Sequence, residues 1–261
     1  GSHYSATLFG RMLDADAVEI WTDVDGVMTA DPTLVPNVKR IRKMTFQEAA
    51  ELAYFGARVL HPATFLPAIE QGIPVFVLNS MRPDDSGTEI IPSLTGKKRT
   101  GALVKSIAYK EGLTVITIKS TRMLMAYGFM AKIFEVFNRY KTAVDLVSTS
   151  EVSVSMTVDS IDHIEDIQRE ISQFAEVDVQ YEKATVCVVG ENIRRFKGMA
   201  AEIFDQLRDI EIHLISQGAS EINISFVISE SDIDGVVKSL HKKFFAGELD
   251  AEIFADTGAH S

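Results

Sequence analysis

The stretch Thr185-Val186-Cys187-Val188-Val189 is a short apolar run rich in β-branched residues, which predicts a buried strand that carries a buried thiol. It opens a segment in which short apolar strands alternate with amphipathic helices in the order β-α-β-β-α-β. That order predicts a ferredoxin-like unit. Its elements are predicted over residues 185–189, 193–207, 210–215, 222–228, 233–245 and 249–254.

The same order of elements occurs once more, roughly 70 residues upstream. The upstream elements are predicted over residues 113–119, 126–140, 143–147, 152–158, 161–174 and 177–181. Because each sheet edge leaves backbone groups unpaired, we expect the two units to pack edge to edge. A simple tandem arrangement and a nested one, in which the last strand completes the first unit, both agree with this pattern.

The residues before about 103 follow a different rhythm, in which strands alternate with helices and predict a parallel or mixed sheet. Helices are predicted over 4–13, 46–56 and 61–71, strands over 18–24 and 73–78, and loops over 25–36 and 82–88. Fewer than four strands are visible before Thr100, too few to close such a sheet, so we expect further sequence upstream. Gly1-Ser2-His3 resembles an expression-tag remnant, and the basic, turn-prone segment 95–100 is the predicted domain boundary.

The composition excludes several classes of protein. The chain has 261 residues, of which 46% are hydrophobic and 24% charged, as in an ordinary soluble globular protein. A net charge of −11 argues against a basic nucleic-acid-binding face. No apolar run approaches the roughly 20 residues that span a membrane, and no signal peptide is visible, so we expect a cytoplasmic protein. A single cysteine excludes an internal disulfide, and the histidines show no zinc spacing.

Three longer motifs carry a family resemblance. They are Val18-Glu19-Ile20-Trp21-Thr22-Asp23-Val24-Asp25-Gly26-Val27-Met28-Thr29-Ala30-Asp31-Pro32, Phe55-Gly56-Ala57-Arg58-Val59-Leu60-His61-Pro62 and Val144-Asp145-Leu146-Val147-Ser148-Thr149-Ser150-Glu151-Val152-Ser153. In this order and at this spacing they resemble aspartate kinases (aspartokinases), and most of all the lysine-sensitive, single-function type. The resemblance runs along the chain from Tyr4 to near Phe245.

The resemblance implies an α/β fold that consists of the C-terminal half of an amino-acid-kinase three-layer α/β domain and two ferredoxin-like ACT domains. We expect a tag remnant at 1–3, the nucleotide-side kinase part at 4–100, ACT domain 1 at 101–183 and ACT domain 2 at 184–261. The implied reaction transfers the γ-phosphoryl group of ATP, with Mg²⁺, to the side-chain carboxylate of L-aspartate. This step opens the route to lysine, methionine and threonine. Feedback inhibition by L-lysine at ACT domain 1, a homodimer formed through ACT domains, and no nucleic-acid or membrane partner complete the expectation.

The predicted nucleotide-binding residues are Thr22, Asp23, Met28, Arg58 and Val59. By the resemblance, Thr22 and Asp23 lie at the adenosine end, where Asp23 would accept hydrogen bonds from polar groups of the nucleotide. From spacing alone, Asp23 is better explained as a turn residue after a strand. Arg58 replaces a family lysine, keeps its charge and can fork around phosphate oxygens. Met28 stands where some members have tyrosine.

Matching family positions predict an effector site in the first ACT unit, at Met123, Gly128, Phe129, Met130, Val144, Asp145, Thr149, Ser150 and Glu151. Gly128 permits close approach of a backbone, and amides at a helix start attract the α-carboxylate of an amino acid. Carboxylates at Asp145 and Glu151 suit a diamino ligand, which favours lysine over threonine. Without the resemblance, Gly128 shapes a turn, and the two carboxylates are solvated charges at strand ends.

The lysine-containing phosphate-binding motif of the family has no counterpart in this sequence, so no catalytic residue is assigned. We expect that motif upstream and expect the chain by itself to be inactive. One alternative is a non-catalytic regulatory chain that binds an amino-acid effector, against which roughly 100 residues of kinase-like sequence argue. Another is an unrelated module that senses a different small molecule, against which the motifs around Trp21 and Phe55 argue.

Overall fold

The computed structural model describes residues 2–55, 64, 66–92, 103–121 and 127–256. Its helices are α1 (Ser2–Met12), α2 (Phe46–Tyr54), α3 (Leu66–Gln71), α4 (Phe129–Arg139), α5 (Ile164–Ile171), α6 (Met199–Phe204) and α7 (Ile233–Phe245). Its strands are β1 (Val18–Thr22), β2 (Lys39–Ile41), β3 (Lys43–Thr45), β4 (Val75–Asn79), β5 (Thr88–Ile91), β6 (Leu103–Lys119), β7 (Val147–Thr149), β8 (Ser153–Val158), β9 (Glu176–Glu191), β10 (Leu214–Gln217), β11 (Asn223–Ser229) and β12 (Phe254–Asp256). Within these ranges, no helix is both long and apolar enough to cross a membrane.

Most of the strongly patterned elements are confirmed. The confirmed helices are those predicted over 4–13, 46–56 and 233–245, and the confirmed strands those over 18–24, 73–78, 152–158 and 222–228, with ends that differ by a few residues. Other predicted features lie outside the described residues, namely the boundary at 95–100, the starts of the helices predicted over 61–71 and 126–140, and the site residues Arg58, Val59 and Met123.

The first part of the chain builds a four-stranded sheet in the order β1-β4-β5-β3. Strands β1 and β4 are parallel, as are β3 and β5, whereas β4 and β5 are antiparallel. The predicted mixed sheet is therefore confirmed, but the expectation of fewer than four strands is wrong. The sequence pattern hides β2, β3 and β5 because each has only three or four residues, among them lysine, arginine or glutamate.

Helix α2 begins at a capping box, in which side chain and backbone bond reciprocally. The Thr45 hydroxyl accepts the backbone N–H of Glu48 at 3.2 Å, and the Glu48 carboxylate accepts the backbone N–H of Thr45 at 2.8 Å. These bonds satisfy N–H groups that have no partner within the helix. Phe46, Ala49 and Leu52 are buried, so the helix is fixed by burial along its length as well as by its start.

The second sheet has six strands among the described residues, in the order β10-β11-β9-β6-β8-β7, each antiparallel to its neighbours. Strands β6 and β9 are long, with 17 and 16 residues. Residues 113–119 of β6 pair with β8 and with the start of β9, whereas residues 103–110 pair with the end of β9. That end of β9 also pairs with β11. Each long strand therefore belongs to both predicted units.

The last predicted strand, over 249–254, is wrong in its place in the fold. The structure instead has β12, which pairs antiparallel with β2 of the first part. The position beside β9 that a fourth strand of the second unit takes is held by residues 103–110 of β6. The two units are thus joined through shared strands rather than edge to edge. The strand residues that complete the second unit come before the first unit in the sequence.

Turns shift several other boundaries. The strands predicted over 177–181 and 185–189 form one strand, with Glu182 at a φ of 55° between them. The helix predicted over 193–207 starts only at Met199, because the preceding residues turn and end in Gly198 with a φ of 93°. The predictions over 143–147, 161–174 and 210–215 are replaced by the shorter elements Val147–Thr149, Ile164–Ile171 and Leu214–Gln217.

Two main hydrophobic cores divide the chain unequally. The larger one joins buried residues of the first sheet and α2 to those of β9, β11 and α7, and it includes the predicted buried thiol of Cys187. The smaller one belongs to the first unit alone and includes Ile118, Ile133, Val154 and Ile167. The second unit thus shares a core with the first sheet. The first unit has a core of its own and is connected to the second through β6, β9 and a small cluster of Val115, Leu146, Leu214 and Val227.

A buried ion pair connects the two sheets. Lys105 of β6 donates to the Glu48 carboxylate of α2 at 2.7 Å, and the two side chains are only 0% and 2% exposed. The same carboxylate oxygen closes the capping box at Thr45, so the helix start and the strand share one anion. Burial of each charge costs several kcal/mol, which the short contact offsets only while both partners are present.

Replacement of Lys105 by methionine leaves the Glu48 carboxylate buried without its cation. We expect Lys105→Met to lower the free energy of unfolding by about 3–5 kcal/mol, measured by urea denaturation. The matched control is Lys238→Met, since Lys238 pairs with Asp234 at 2.8 Å on an exposed face of α7. Such surface pairs contribute roughly 0.2–1 kcal/mol. Equal losses in the two variants would contradict a structural role for the buried pair.

A buried histidine connects α7 to the first part of the chain. His241 is 6% exposed, and its Nε2 lies 2.9 Å from the Thr29 hydroxyl oxygen. That oxygen accepts the backbone N–H of Lys39, also at 2.9 Å, so its proton is available to a neutral imidazole. Burial, and secondarily the charge of Lys39, lower the pKa of His241, which favours this neutral form.

The lowered pKa of His241 predicts a loss of stability in mild acid. Below the ordinary histidine pKa of about 6.5, the unfolded chain binds a proton that the folded chain does not. The contribution of His241 is therefore complete above about pH 6.5 and declines as the pH falls. We expect the wild type to lose more of its free energy of unfolding between about pH 7.5 and 5.5 than His241→Gln, by urea denaturation. Parallel losses in the two proteins would be evidence against this assignment.

Candidate functional site

The carboxyl ends of two parallel strands meet at one edge of the first sheet. Thr22, the last residue of β1, lies opposite Asn79, the last residue of β4. In α/β sheets, ligands bind outside the carboxyl ends of the strands, where the loops present polar groups. Thr22 and the adjoining Asp23, both predicted from the sequence, therefore lie where a ligand site is expected.

The turn after β1 exposes one carboxylate at this edge. The Thr22 hydroxyl donates to the Asp23 carboxylate at 3.1 Å. The Thr22 carbonyl oxygen accepts the backbone N–H of Ser80 at 2.8 Å and its hydroxyl at 3.1 Å, which joins the turn to the loop after β4. Because Asp23 is exposed, its carboxylate can accept hydrogen bonds from hydroxyl or amino groups of a ligand.

A second carboxylate, Asp25, bonds within the protein. It accepts from the Asn79 amide at 2.5 Å and from the Arg82 guanidinium at 3.0 Å. The Asn79 side-chain oxygen in turn accepts the backbone N–H of Met81 at 2.8 Å. These bonds tie the loops after β1 and β4 together. Asp25 therefore stabilises the conformation of the two loops at this edge, whereas the Asp23 side chain is exposed.

Sequence reasoning missed Asn79 and Arg82, although a signal was available. Both follow the strand predicted over 73–78, and the carboxyl end of that strand belongs to the same edge. Met28, which was predicted, has its described contacts elsewhere. It is half-buried, forms a backbone bridge with Arg40, and its carbonyl oxygen accepts the Ser106 hydroxyl at 2.8 Å.

The start of α4 presents backbone amides in the first unit. Gly128 has a φ of 80° and immediately precedes the helix, so that Phe129 and Met130 form its first turn. The side chains of both residues pack against the first-unit core, and the Phe129 ring centroid lies 5.9 Å from that of Phe174. It is therefore the backbone of these residues, and not their side chains, that suits the carboxylate of an amino acid.

The hairpin between β7 and β8 adds hydroxyl groups and a carboxylate. Thr149, Ser150 and Glu151 are all exposed. The backbone N–H of Ser150 donates to the Ser153 carbonyl at 2.8 Å, and the two serine hydroxyl oxygens lie 2.7 Å apart. Ser153 pairs with Lys119 at the end of β6, the strand that leads into α4. Since a crossover helix starts near the end of the strand before it, these groups lie at the α4-start end of the unit.

Asp145 lies further along the unit. Its backbone N–H donates to the Thr157 carbonyl at 2.9 Å, whereas Thr149 lies opposite Val154. At about 3.3 Å per residue along β8, this separates Asp145 from Thr149 by about 10 Å. The neighbouring Val144 packs against the first-unit core. The structure thus places the two predicted carboxylates, at 145 and 151, towards different ends of the hairpin.

The Asp145 carboxylate already has partners that sequence reasoning missed. The Lys110 ammonium lies 3.0 Å from it and 3.2 Å from Asp159, and the Tyr54 hydroxyl at the end of α2 donates to it. The same ammonium lies 5.0 Å from the centre of the Tyr54 ring, a cation–π geometry. Burial alone would lower the pKa of Lys110, but the two carboxylates raise it, so the side chain stays charged. Burial, and then Asp145, raise the pKa of Tyr54, which keeps its proton.

Two family models match the chain: the amino acid kinase family over residues 1–79 and the ACT domain over residues 186–244. Aspartokinase 1 of Arabidopsis thaliana is 39% identical over 95% of this chain, and the lysine-sensitive aspartokinase 3 of Escherichia coli is 38% identical over 94% of it. This chain is homologous to aspartokinases over about 94% of its length. The matches cover 45% and 56% of those two proteins, so the chain spans about half the length of the curated relatives it matches.

Solved aspartokinase structures share the fold. E. coli aspartokinase III in complex with aspartate and ADP matches with a TM-score of 0.83 at 38% identity, over 94% of this chain and 56% of that one. Its complex with lysine and aspartate matches with a TM-score of 0.80 at 39% identity, over 94% and 55%. The predicted fold, part of an amino-acid-kinase domain followed by ferredoxin-like ACT units, is confirmed. The kinase-family match over 1–79 argues against an unrelated module and against a purely regulatory chain.

The different positions of the two aspartates at the first-sheet edge predict different effects of their removal. We expect Asp25→Ala to lower the free energy of unfolding by about 1–3 kcal/mol, because the Asn79 amide and the Arg82 guanidinium lose a charged acceptor. The control is Asp23→Ala at the exposed position, which should change stability by no more than about 0.5 kcal/mol. Urea denaturation measures both variants, and a larger loss for Asp23→Ala would contradict the assignment.

Proposed function

We propose that this aspartokinase chain is part of an enzyme that transfers the γ-phosphoryl group of ATP to the side-chain carboxylate of L-aspartate. The enzyme is then a phosphotransferase with a carboxyl acceptor, at the first step towards lysine, methionine and threonine. The observation that carries the proposal is the fold shared along 94% of this chain with E. coli aspartokinase III, whose structure is described with aspartate and ADP. In such an enzyme, phosphoryl transfer depends on positioning and on charge around the phosphates rather than on covalent chemistry.

The edge at the ends of β1 and β4 is the proposed adenosine side of the nucleotide site. Thr22 and Asp23 supply its polar groups, and Met28, Arg58 and Val59 complete the proposed set. The pairing of Asp25 with Asn79 and Arg82 keeps the two loops in place without use of the outward-facing Asp23. Magnesium would enter with ATP, since Mg²⁺ is usually held by phosphates together with one or two carboxylates. Among the described residues, no cluster of three or more His, Cys, Asp or Glu side chains could hold a metal ion.

The first ACT unit is the proposed sensor for L-lysine, and its site consists of Met123, Gly128, Phe129, Met130, Val144, Asp145, Thr149, Ser150 and Glu151. The E. coli structure described with lysine and aspartate supports the choice of ligand. The amides at the start of α4 suit the ligand's carboxylate, while Asp145 and Glu151 suit its ammonium groups. Feedback inhibition then requires that lysine binds the inactive arrangement of the enzyme more tightly than the active one.

Domain limits at 4–100, 101–183 and 184–261 are part of the proposal. A limit at 101 assigns residues 103–110 of β6 to ACT domain 1, although these residues pair with the end of β9 in the second unit. A homodimer through the ACT units is supported by β7, an exposed strand at the edge of the sheet, because edge strands invite pairing with another chain. We also propose a cytoplasmic enzyme with no nucleic-acid or membrane partner, in keeping with the net charge of −11.

Calorimetric titration with L-lysine tests the proposed sensor. We expect saturable binding to the wild type and at least about tenfold weaker binding to Glu151→Gln and Asp145→Asn, because each removes a charged partner of an ammonium group. Glu165→Gln is the matched control, since it makes the same change at an exposed position of α5 in the same unit. Its affinity should stay within about twofold of the wild type.

Titration with L-threonine separates the remaining outcomes. Saturable heat from threonine but not from lysine would leave the family assignment unchanged. It would indicate that the protein senses the threonine branch of the pathway rather than the lysine branch. If neither amino acid produces heat, the first unit is not the proposed sensor.

A further inference from the structure

Helix α2 presents three polar side chains to the second sheet, at positions three residues apart that share one helix face. Glu48 binds Lys105 of β6, Glu51 accepts the Asn223 amide of β11 at 2.6 Å, and Tyr54 donates to Asp145 just before β7. One short helix of the kinase part therefore touches three separate places in the regulatory sheet.

The three contacts reach bodies that are packed differently. Lys105 and Asn223 lie in strands of the second unit, which shares the larger core with the first sheet. Asp145 lies in the first unit, which has its own core. The contact from Tyr54 thus crosses from the kinase helix to a body that is joined to the rest by the long strands and by a small apolar cluster around Leu146. A change in this contact can alter the link between the two bodies without disturbance of the shared core.

Lys110 offers the Asp145 carboxylate the same chemical group as the proposed ligand. An amino group of lysine would offer Asp145 an ammonium ion, and the Lys110 ammonium is already 3.0 Å from that carboxylate. We propose, on the basis of the proposed lysine site, that Lys110 and Tyr54 bind the Asp145 carboxylate when no effector is present. The ammonium group of a cationic amino acid then displaces both side chains. The displacement breaks the link between α2 and the first unit.

Both displaced groups have an alternative to Asp145. Lys110 keeps Asp159, which lies 3.2 Å away and is 47% exposed. Tyr54 is 44% exposed, so its hydroxyl can turn to water. The exchange therefore replaces one ammonium ion by another and leaves no buried charge without a partner. The Glu48–Lys105 pair differs, since its 0% and 2% exposure leaves neither group another partner in water. Of the charged contacts on this face of α2, the one at Asp145 is suited to exchange.

Removal of the internal competitor gives the sharpest test. We expect Lys110→Met to bind L-lysine about tenfold more tightly than the wild type in calorimetric titration, because Asp145 and Asp159 are then left for the ligand. Lys110→Arg restores a cation beside Asp145 and Asp159, so its affinity should be lower than that of Lys110→Met and closer to that of the wild type. Lys238→Met removes the same charge at an exposed pair in the second unit and should show no tightening.

A second measurement follows the link itself in the unsubstituted chain. Tyrosine labelled with ¹³C at Cζ gives an NMR signal for Tyr54, assigned by its loss in Tyr54→Phe. On saturation with L-lysine, this signal should move towards the position that it has in Asp145→Asn, where the charged acceptor is absent. A residue with a purely structural role would give no such ligand-dependent shift.

The outcomes separate this inference from the lysine site on which it rests. Equal affinity of the wild type and Lys110→Met for lysine, or a Tyr54 signal that does not move at saturation, overturns the displacement and leaves the lysine site in place. No heat in either protein overturns the lysine site and the displacement together.

Discussion

The buried contact between Glu48 and Lys105 is the interaction on which the rest of the structure depends. The Glu48 carboxylate also caps the start of helix α2, and Lys105 lies in the part of β6 that completes the second unit. A charge pair with almost no exposure to water cannot slide by a residue or open without a large cost, because each partner would be buried alone. The pair therefore fixes the position of the first sheet relative to the second sheet. Burial of apolar side chains alone specifies this relative position less sharply.

That fixed point gives the two regulatory units different mechanical roles. The second unit shares a core with the first sheet and is held as an extension of it. The first unit has a separate core, and its polar link to α2 runs through partly exposed Tyr54 and Lys110. Motion between packed bodies is more favourable where a contact can be exchanged with water than where it must leave a charge buried. The first unit is thus the one whose contact with α2 opens more readily.

Local pattern predicted much of this fold, and its failures have physical reasons. Helix 233–245 and the strand over 222–228 have strong periodicity and fall where predicted. Residues 103–110 were missed because the charges of Lys105 and Lys110 interrupt an apolar run, and only the folded partners explain those charges. Strand 249–254 was misplaced because a short strand pattern does not specify its neighbour. At the candidate site, the family resemblance pointed to Thr22 and Asp23, whereas local pattern alone indicated only a turn after a strand. The partners of Asp145 are 35 and 91 residues away in sequence, beyond any local pattern.

The shared strands β6 and β9 restrict how proteins with this pair of ACT-type units can evolve. Each ACT-type unit borrows half of a strand whose other half belongs to its neighbour, so no cut in the gene separates one intact unit from the other. A recombination event that exchanged one unit for a sensor of another metabolite would also replace an interior strand of the unit that remained. New ligand preferences in such a protein therefore have to arise by substitution within the existing pair, and the two units have to be inherited as one.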